Sequence, residues 1–172
     1  MVQKCEKTLN KKSRIPIAEL KTFSYLLKNT LSMIEATTFI RVRYGETDQM
    51  GFVYYGNYAQ FFEIGRVELF RKIGVTYKSL EDKGVMMPVI NMQSFYHHPA
   101  RYDDHLKIVT SVPKIPDGVR IKFEYKIFNE SDLLLHEGNT ELVFVDMLKN
   151  RPCRIPENLR EKLLDYDNLK QS

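Results

Sequence analysis

The stretch "RYGETDQMGFVYYGNYAQFFEIGR", residues 43–66, changes periodicity across a glycine-bounded turn. On its upstream side, "TTFIRVRY" (37–44) alternates apolar and polar residues and is rich in β-branched side chains, the pattern of a half-buried strand. On its downstream side Tyr58, Phe61, Phe62, Gly65 and Leu69 recur at i, i+3, i+4, i+7 and i+11, one face of a helix. Asn57 reads as that helix's N-cap and Gly74 as its stop, so the helix runs to about Ile73. Gly65 costs helix stability, about 1 kcal/mol against Ala. The expected return is a close approach to a backbone beneath the helix. Between strand and helix lies the turn "ETDQMG" (46–51), which places Asp48 seven residues before Tyr55.

Working outward, the 172 residues suit one main domain with a core that needs no staples. Hydrophobic residues make up 43% and charged ones 28%, with a net charge of +4, so no basic block argues for nucleic acid. Cys5 and Cys153 stand alone, which favours a reducing compartment, and no apolar run reaches the length of a membrane span. Without a sustained apolar leader segment, the expected location is cytoplasmic. Residues 1–32 differ from the rest, with seven Lys or Arg against two acids. They read as an N-terminal appendage, partly helical over 17–31, or as a mis-assigned start, and the compact domain as 33–168.

Beyond the helix, a polar turn is expected at Lys78–Lys83, followed by four strands: Val85–Pro99, His105–Pro113, Val119–Asn129 and Leu133–Met147. "PDGVR" (116–120) carries an Asp-Gly hairpin signal, and "NESD" (129–132) marks another tight turn. "PENLREKLLDY" (156–166) opens with Pro at a first helical position and closes the chain amphipathically. The order strand, long helix, four-strand meander, final helix is α+β. One helix cannot cover five strands and the long strands leave edges, so edge-to-edge pairing into at least a homodimer is expected.

The motif in residues 43–66, together with "YHHPARYDDHLKI" (96–108), "LLLHEGNTELVFVD" (133–146) and "RPCRIPENLREKL" (151–163), resembles the hotdog-fold acyl-CoA thioesterases of the 4-hydroxybenzoyl-CoA thioesterase type. The similarity spans about Met33 to Leu164. It implies a five-stranded antiparallel sheet wrapped around a long central helix, a homodimer or homotetramer, an acyl-CoA substrate and no separate cofactor. It also implies that Asp48 is the catalytic carboxylate and that the Tyr55 backbone amide polarises the thioester carbonyl.

That assignment agrees with the chemistry. A thiolate leaves readily, an ordinary thiol having a pKa of about 8.5, so one carboxylate and one electrophilic hydrogen bond suffice. Asp48 serves as general base toward water or as nucleophile, and a helix N-terminus supplies free amides for the oxyanion. Gly51 and Gly56 would let the backbone approach the thioester, and Phe52, Val53, Tyr54 and Tyr58 would line the acyl slot with Phe61 and Phe62. The plainer reading of Asp48 is a turn former accepting local N–H bonds. Phe61 and Phe62 equally fit the core. Glu63, the second carboxylate, reads first as a solvent or interface acid paired with Arg66, with a supporting part in the site as the other reading. His97, His98, His105 and His136 lack metal-ligand spacing, since His97 and His98 point to opposite strand faces. The competing functions are a non-catalytic acyl-binding hotdog module and an acyl carrier protein thioesterase.

Overall fold

In the computed structural model the described residues are 34–170, so the appendage expected over 1–32 lies outside them. The order is β1 (Ile34–Arg41), a 3₁₀ turn at Tyr44–Glu46, a second at Tyr55–Asn57, and α1 (Tyr58–Lys72). Next come α2 (Tyr77–Glu81), β2 (Val85–Met86), β3 (Val89–Tyr96), β4 (His105–Val112) and β5 (Arg120–Phe128). The chain ends with β6 (Leu134–Val143), β7 (Val145–Asp146), β8 (Arg151–Pro152) and α3 (Glu157–Lys170). Five strands form an antiparallel sheet in the order β1-β4-β5-β6-β3, while β2, β7 and β8 form a small second sheet. This is the hotdog arrangement, with α1 packed on β1, β4 and β5.

The apolar face read from sequence is the buried one: Tyr58, Phe61, Phe62, Gly65 and Leu69 all face the core. Phe62 stacks on Tyr125 of β5 at 4.1 Å between ring centroids. Gly65 does allow a close approach, but to a side chain rather than to backbone. A Cβ there would stand 2.2 Å from Thr110 Oγ1 on β4.

Four local expectations change. The first strand begins and ends three residues earlier than expected, because its pairing with β4 stops at Arg41 opposite His105. The expected strand Val85–Pro99 splits into β2 and β3 around Pro88, which has no N–H for a ladder. The four strands are not a simple meander either. β4, β5 and β6 pair consecutively, whereas β3 lies beyond β6 at the far edge. Finally, the polar turn at Lys78–Lys83 is largely the short helix α2, started by Thr76, whose hydroxyl accepts the Ser79 amide at 3.1 Å.

Candidate active site

Asp48 sits on a small ribbon between the two 3₁₀ turns. Thr47 bridges Val53, Phe52 bridges Arg101, and the Val53 amide donates to the Ala100 carbonyl at 2.8 Å. Within the ribbon the Asp48 amide donates to Phe52 O and the Gly51 amide to Asp48 O, with Gly51 in the left-handed region at φ +77°. The carboxylate is half-buried and turned partly into its own loop. Its Oδ1 accepts from the Met50 amide at 2.8 Å and from the Phe52 amide at 3.4 Å. Among the described residues no group hydrogen-bonds to Oδ2. The acid therefore anchors its turn with one oxygen and leaves the other uncommitted.

Glu46 links this ribbon to the helix start. Its buried carboxylate accepts the Arg43 amide at 2.7 Å and Arg43 Nε at 2.9 Å. Its carbonyl accepts both the Tyr54 amide at 2.9 Å and Asn57 Nδ2 at 2.8 Å. Asn57 is thus not a side-chain cap: its backbone is already helical and its side chain makes no capping bond. It spends its amide on tying the first turn of α1 to the Asp48 ribbon.

The Tyr55 amide has no acceptor among the described residues, as expected at a helix start. The Tyr55 carbonyl accepts from the Tyr96 hydroxyl of β3 at 3.3 Å. Tyr54 and Tyr55 are exposed and their rings lie 4.4 Å apart. Gly56 makes room for Tyr54, whose ring would meet a Cβ there at 2.8 Å. Phe52 is half-buried beneath the Arg101 guanidinium at 4.7 Å, while Val53 and Tyr58 belong to the closed core. Glu63 is exposed on α1 and stands 3.6 Å from Arg66. Asp48, Gly51, Phe52, Tyr54, Tyr55 and Gly56 hence share one exposed corner, with Val53 and Tyr58 beneath it and Glu63 further along the helix.

Sequence reasoning missed Glu46, Tyr96 and the role of Asn57 at this corner. The 3₁₀ turn that buries Glu46 has no apolar signature, and Tyr96 meets Tyr55 only through tertiary structure. The burial of the fourth histidine, weighed in sequence only as a metal ligand, was not legible either. His136 on β6 is fully buried, stacks on Tyr58 at 4.1 Å and meets Tyr96 edge-on at 4.7 Å. Neither of its ring nitrogens has a partner among the described residues. Burial, with a smaller contribution from His97, lowers its pKa to about 4. Among the described residues no group of three or more His, Cys, Asp or Glu side chains is arranged to hold a metal ion, and no helix is long and apolar enough to cross a membrane.

Residues 42–163 match the profile of the thioesterase-like superfamily. The chain is 34% identical over 120 residues to the acyl-CoA thioester hydrolase YbgC of Escherichia coli O157:H7, covering 70% of this chain and 89% of that one. It is 29% identical over 160 residues to the chloroplastic acyl-acyl carrier protein thioesterase ATL3 of Arabidopsis thaliana, covering 88% and 82%. Among solved structures, the DHNA-CoA thioesterase of Staphylococcus aureus superposes with a TM-score of 0.73 at 32% identity, covering 80% of this chain and 93% of that one. The fold and these matches agree: the chain belongs to the thioesterase-like superfamily.

Proposed function

We propose that this chain hydrolyses acyl-CoA thioesters to the free acid and coenzyme A, with Asp48 as the reacting carboxylate and the Tyr55 amide as the oxyanion donor. The observation that carries the assignment is the half-committed Asp48: one oxygen is fixed by the Met50 amide, and among the described residues the other accepts no hydrogen bond. The Glu46 carbonyl ties its ribbon to the turn that presents the Tyr55 amide, which has no acceptor among the described residues. As a base, Asp48 takes a proton from water while the resulting hydroxide adds to the thioester carbon. The negative charge forms on the carbonyl oxygen, within reach of a fixed N–H, and the C–S bond breaks to release the thiolate. As a nucleophile, Asp48 forms a mixed anhydride that water then cleaves. Label found in the aspartate after single turnover in ¹⁸O-water identifies the anhydride route, with water adding to the aspartyl carbonyl, and trapping of the anhydride by hydroxylamine identifies it where water adds to the acyl carbon instead. Neither route needs a metal or organic cofactor, coenzyme A being part of the substrate.

Asp48→Asn keeps the size of the side chain and removes both roles. Steady-state assays over short, long and aromatic acyl-CoAs should show at least a hundredfold loss of kcat, with Tyr55→Phe close to wild type because only its main chain acts. Full activity in Asp48→Asn would remove Asp48 from the mechanism. Acyl carrier protein thioesters belong in the same panel, since the match to ATL3 covers 88% of this chain. Turnover confined to them would move the substrate from coenzyme A to the carrier protein, and binding without turnover would favour the non-catalytic module.

We infer that the working unit is a homodimer or a dimer of dimers joined through β3. Seven of its eight residues are exposed and its sequence, VINMQSFY, holds no charge. The opposite edge is already engaged: on β1, Glu35 O accepts from the Tyr166 hydroxyl and Thr37 O from Lys72 Nζ. On its two lone cysteines, we place the protein in the cytoplasm.

A further inference from the structure

One cation beside the Asp48 ribbon is held without a counter-charge. Arg101 opens the tight turn that leads into β4, closed by the Asp104 amide on the Arg101 carbonyl at 3.2 Å. Ala100, just before it, is fully buried and accepts the Val53 amide at 2.8 Å, and Phe52 bridges Arg101 itself. The turn is therefore pinned to the ribbon. From it the exposed guanidinium lies over the Phe52 ring, 4.7 Å from the centroid. The amide of the same Phe52 donates to Asp48 Oδ1 at 3.4 Å. One phenyl ring and one hydrogen bond thus separate the Arg101 charge from Asp48.

The acids around Arg101 are committed elsewhere. Asp103 pairs with Arg41 at 3.2 Å, and Glu46 with Arg43 Nε at 2.9 Å. Asp104 spends Oδ2 on the Arg101 backbone amide at 2.7 Å. Among the described residues the Arg101 guanidinium therefore has no carboxylate partner, whereas Arg41 and Arg43 each have one. An arginine laid on an aromatic face keeps its planar edge free, and that edge carries N–H donors that match phosphate oxygens two at a time. Stacking also restrains the side chain before a ligand arrives, which lowers the ordering cost of binding. A thioester held at Asp48 extends two ways: an acyl group that seeks apolar cover, and a pantetheine arm that runs outward to a phosphate. An exposed, uncompensated cation on the rim suits the second.

We propose that Arg101 binds the first phosphate of the substrate's pantetheine arm, which coenzyme A carries within its diphosphate and a carrier protein within its phosphodiester. This placement rests on Asp48 being the reacting carboxylate.

Binding and hydrolysis by the full chain test the two assignments separately. Calorimetric titration with coenzyme A, 4′-phosphopantetheine and pantetheine needs no turnover. Wild type should bind both phosphorylated ligands at least tenfold more tightly than pantetheine. Arg101→Met keeps an apolar chain over the Phe52 ring but removes the charge, and should cut that preference about tenfold for both. Arg101→Lys, which keeps the charge without the planar fork, should fall between. With acyl thioesters of the same carriers, the loss in Arg101→Met should appear as a higher KM at kcat within about twofold. Arms with acyl-CoA and with acyl carrier protein then tell which source supplies the phosphate. An undiminished preference for phosphorylated ligands in Arg101→Met, or a loss confined to coenzyme A and absent with 4′-phosphopantetheine, overturns the assignment. A chain that hydrolyses none of the thioesters, yet loses affinity for both phosphorylated ligands in Arg101→Met, keeps the phosphate site and fails as a hydrolase.

Discussion

Asn57 joins the helix start to the Asp48 ribbon through one bond, Nδ2 to the Glu46 carbonyl at 2.8 Å. Asn57→Asp is nearly isosteric but presents oxygen to that carbonyl, so the tie becomes a repulsion. We expect kcat to fall about tenfold to a hundredfold with KM within about twofold, since a misplaced amide or carboxylate acts on the transition state. Loss of thermal stability alone, with kcat intact well below the unfolding temperature, would leave Asn57 a purely structural residue. His136 makes a different prediction. Its pKa is about 4 in the folded chain against about 6.5 unfolded, so the unfolded state takes up the proton first as the pH drops. The group's share of stability is complete above about pH 6.5 and declines toward pH 4, by at most about 3 kcal/mol. His136→Phe fits the surrounding rings of Tyr58, Phe62 and Tyr96 and removes both unpartnered nitrogens. Urea unfolding at pH 7 should find it more stable by about 1–3 kcal/mol, and its lead over wild type should widen between pH 6.5 and 4. A constant difference across that range would mean that the imidazole is not kept neutral by burial.

Two glycines decide how tightly α1 sits in the sheet. Added methyls meet different obstacles: Thr110 Oγ1 at 2.2 Å for Gly65, and the Gln93 carbonyl oxygen at 2.3 Å with the Phe62 ring at 2.7 Å for Gly138. A threonine side chain can rotate away, whereas a backbone oxygen of the neighbouring strand moves only if the ladder moves. Gly65→Ala also gains about 1 kcal/mol of helix propensity, which offsets part of an overpacking loss of about 1–3 kcal/mol. Gly138→Ala has no such offset and should be the more destabilising of the two, measured as the shift in urea midpoint at unchanged slope. At this scale the long helix was readable because its five apolar-face positions share one period, and the hairpin strands because alternation and turn residues agree. The break at Pro88 is written in the sequence as a missing N–H within the expected strand Val85–Pro99. Thr76 with Ser79 offered a capping pattern for α2, but a five-residue helix is too short to display a period. The crossover that sends β3 beyond β6 is decided by packing across the sheet, and no local signal carries it. At the site the acid and the helix start were legible as a spacing, while Glu46 and Tyr96 depend on contacts with Asn57 and Tyr55 across 11 and 41 positions.

Among the described residues no strand pairs with the outer edge of β3, and Val89, Ile90, Met92, Phe95 and Tyr96 are exposed. An uncharged edge of eight residues is a template for pairing, and a sheet edge open to water is normally blunted with charge, proline or a covering element. Pairing β3 with its own copy about a two-fold axis closes the edge symmetrically and satisfies the backbone of both chains. Tyr96 connects this edge to the proposed site, since its hydroxyl donates to the Tyr55 carbonyl in the turn whose amide is proposed to hold the oxyanion. Met92→Lys places two like charges near that axis, which are repelled in a dimer and harmless in a monomer, whose edge faces water. Sedimentation velocity should show wild type at twice the chain mass or a multiple of it, and Met92→Lys shifted toward monomer with kcat reduced in parallel. The single chain should remain folded by circular dichroism, because the substitution leaves the β3–β6 ladder untouched. A wild type that sediments as a fully active monomer at micromolar concentration would break both the edge pairing and the link through Tyr96.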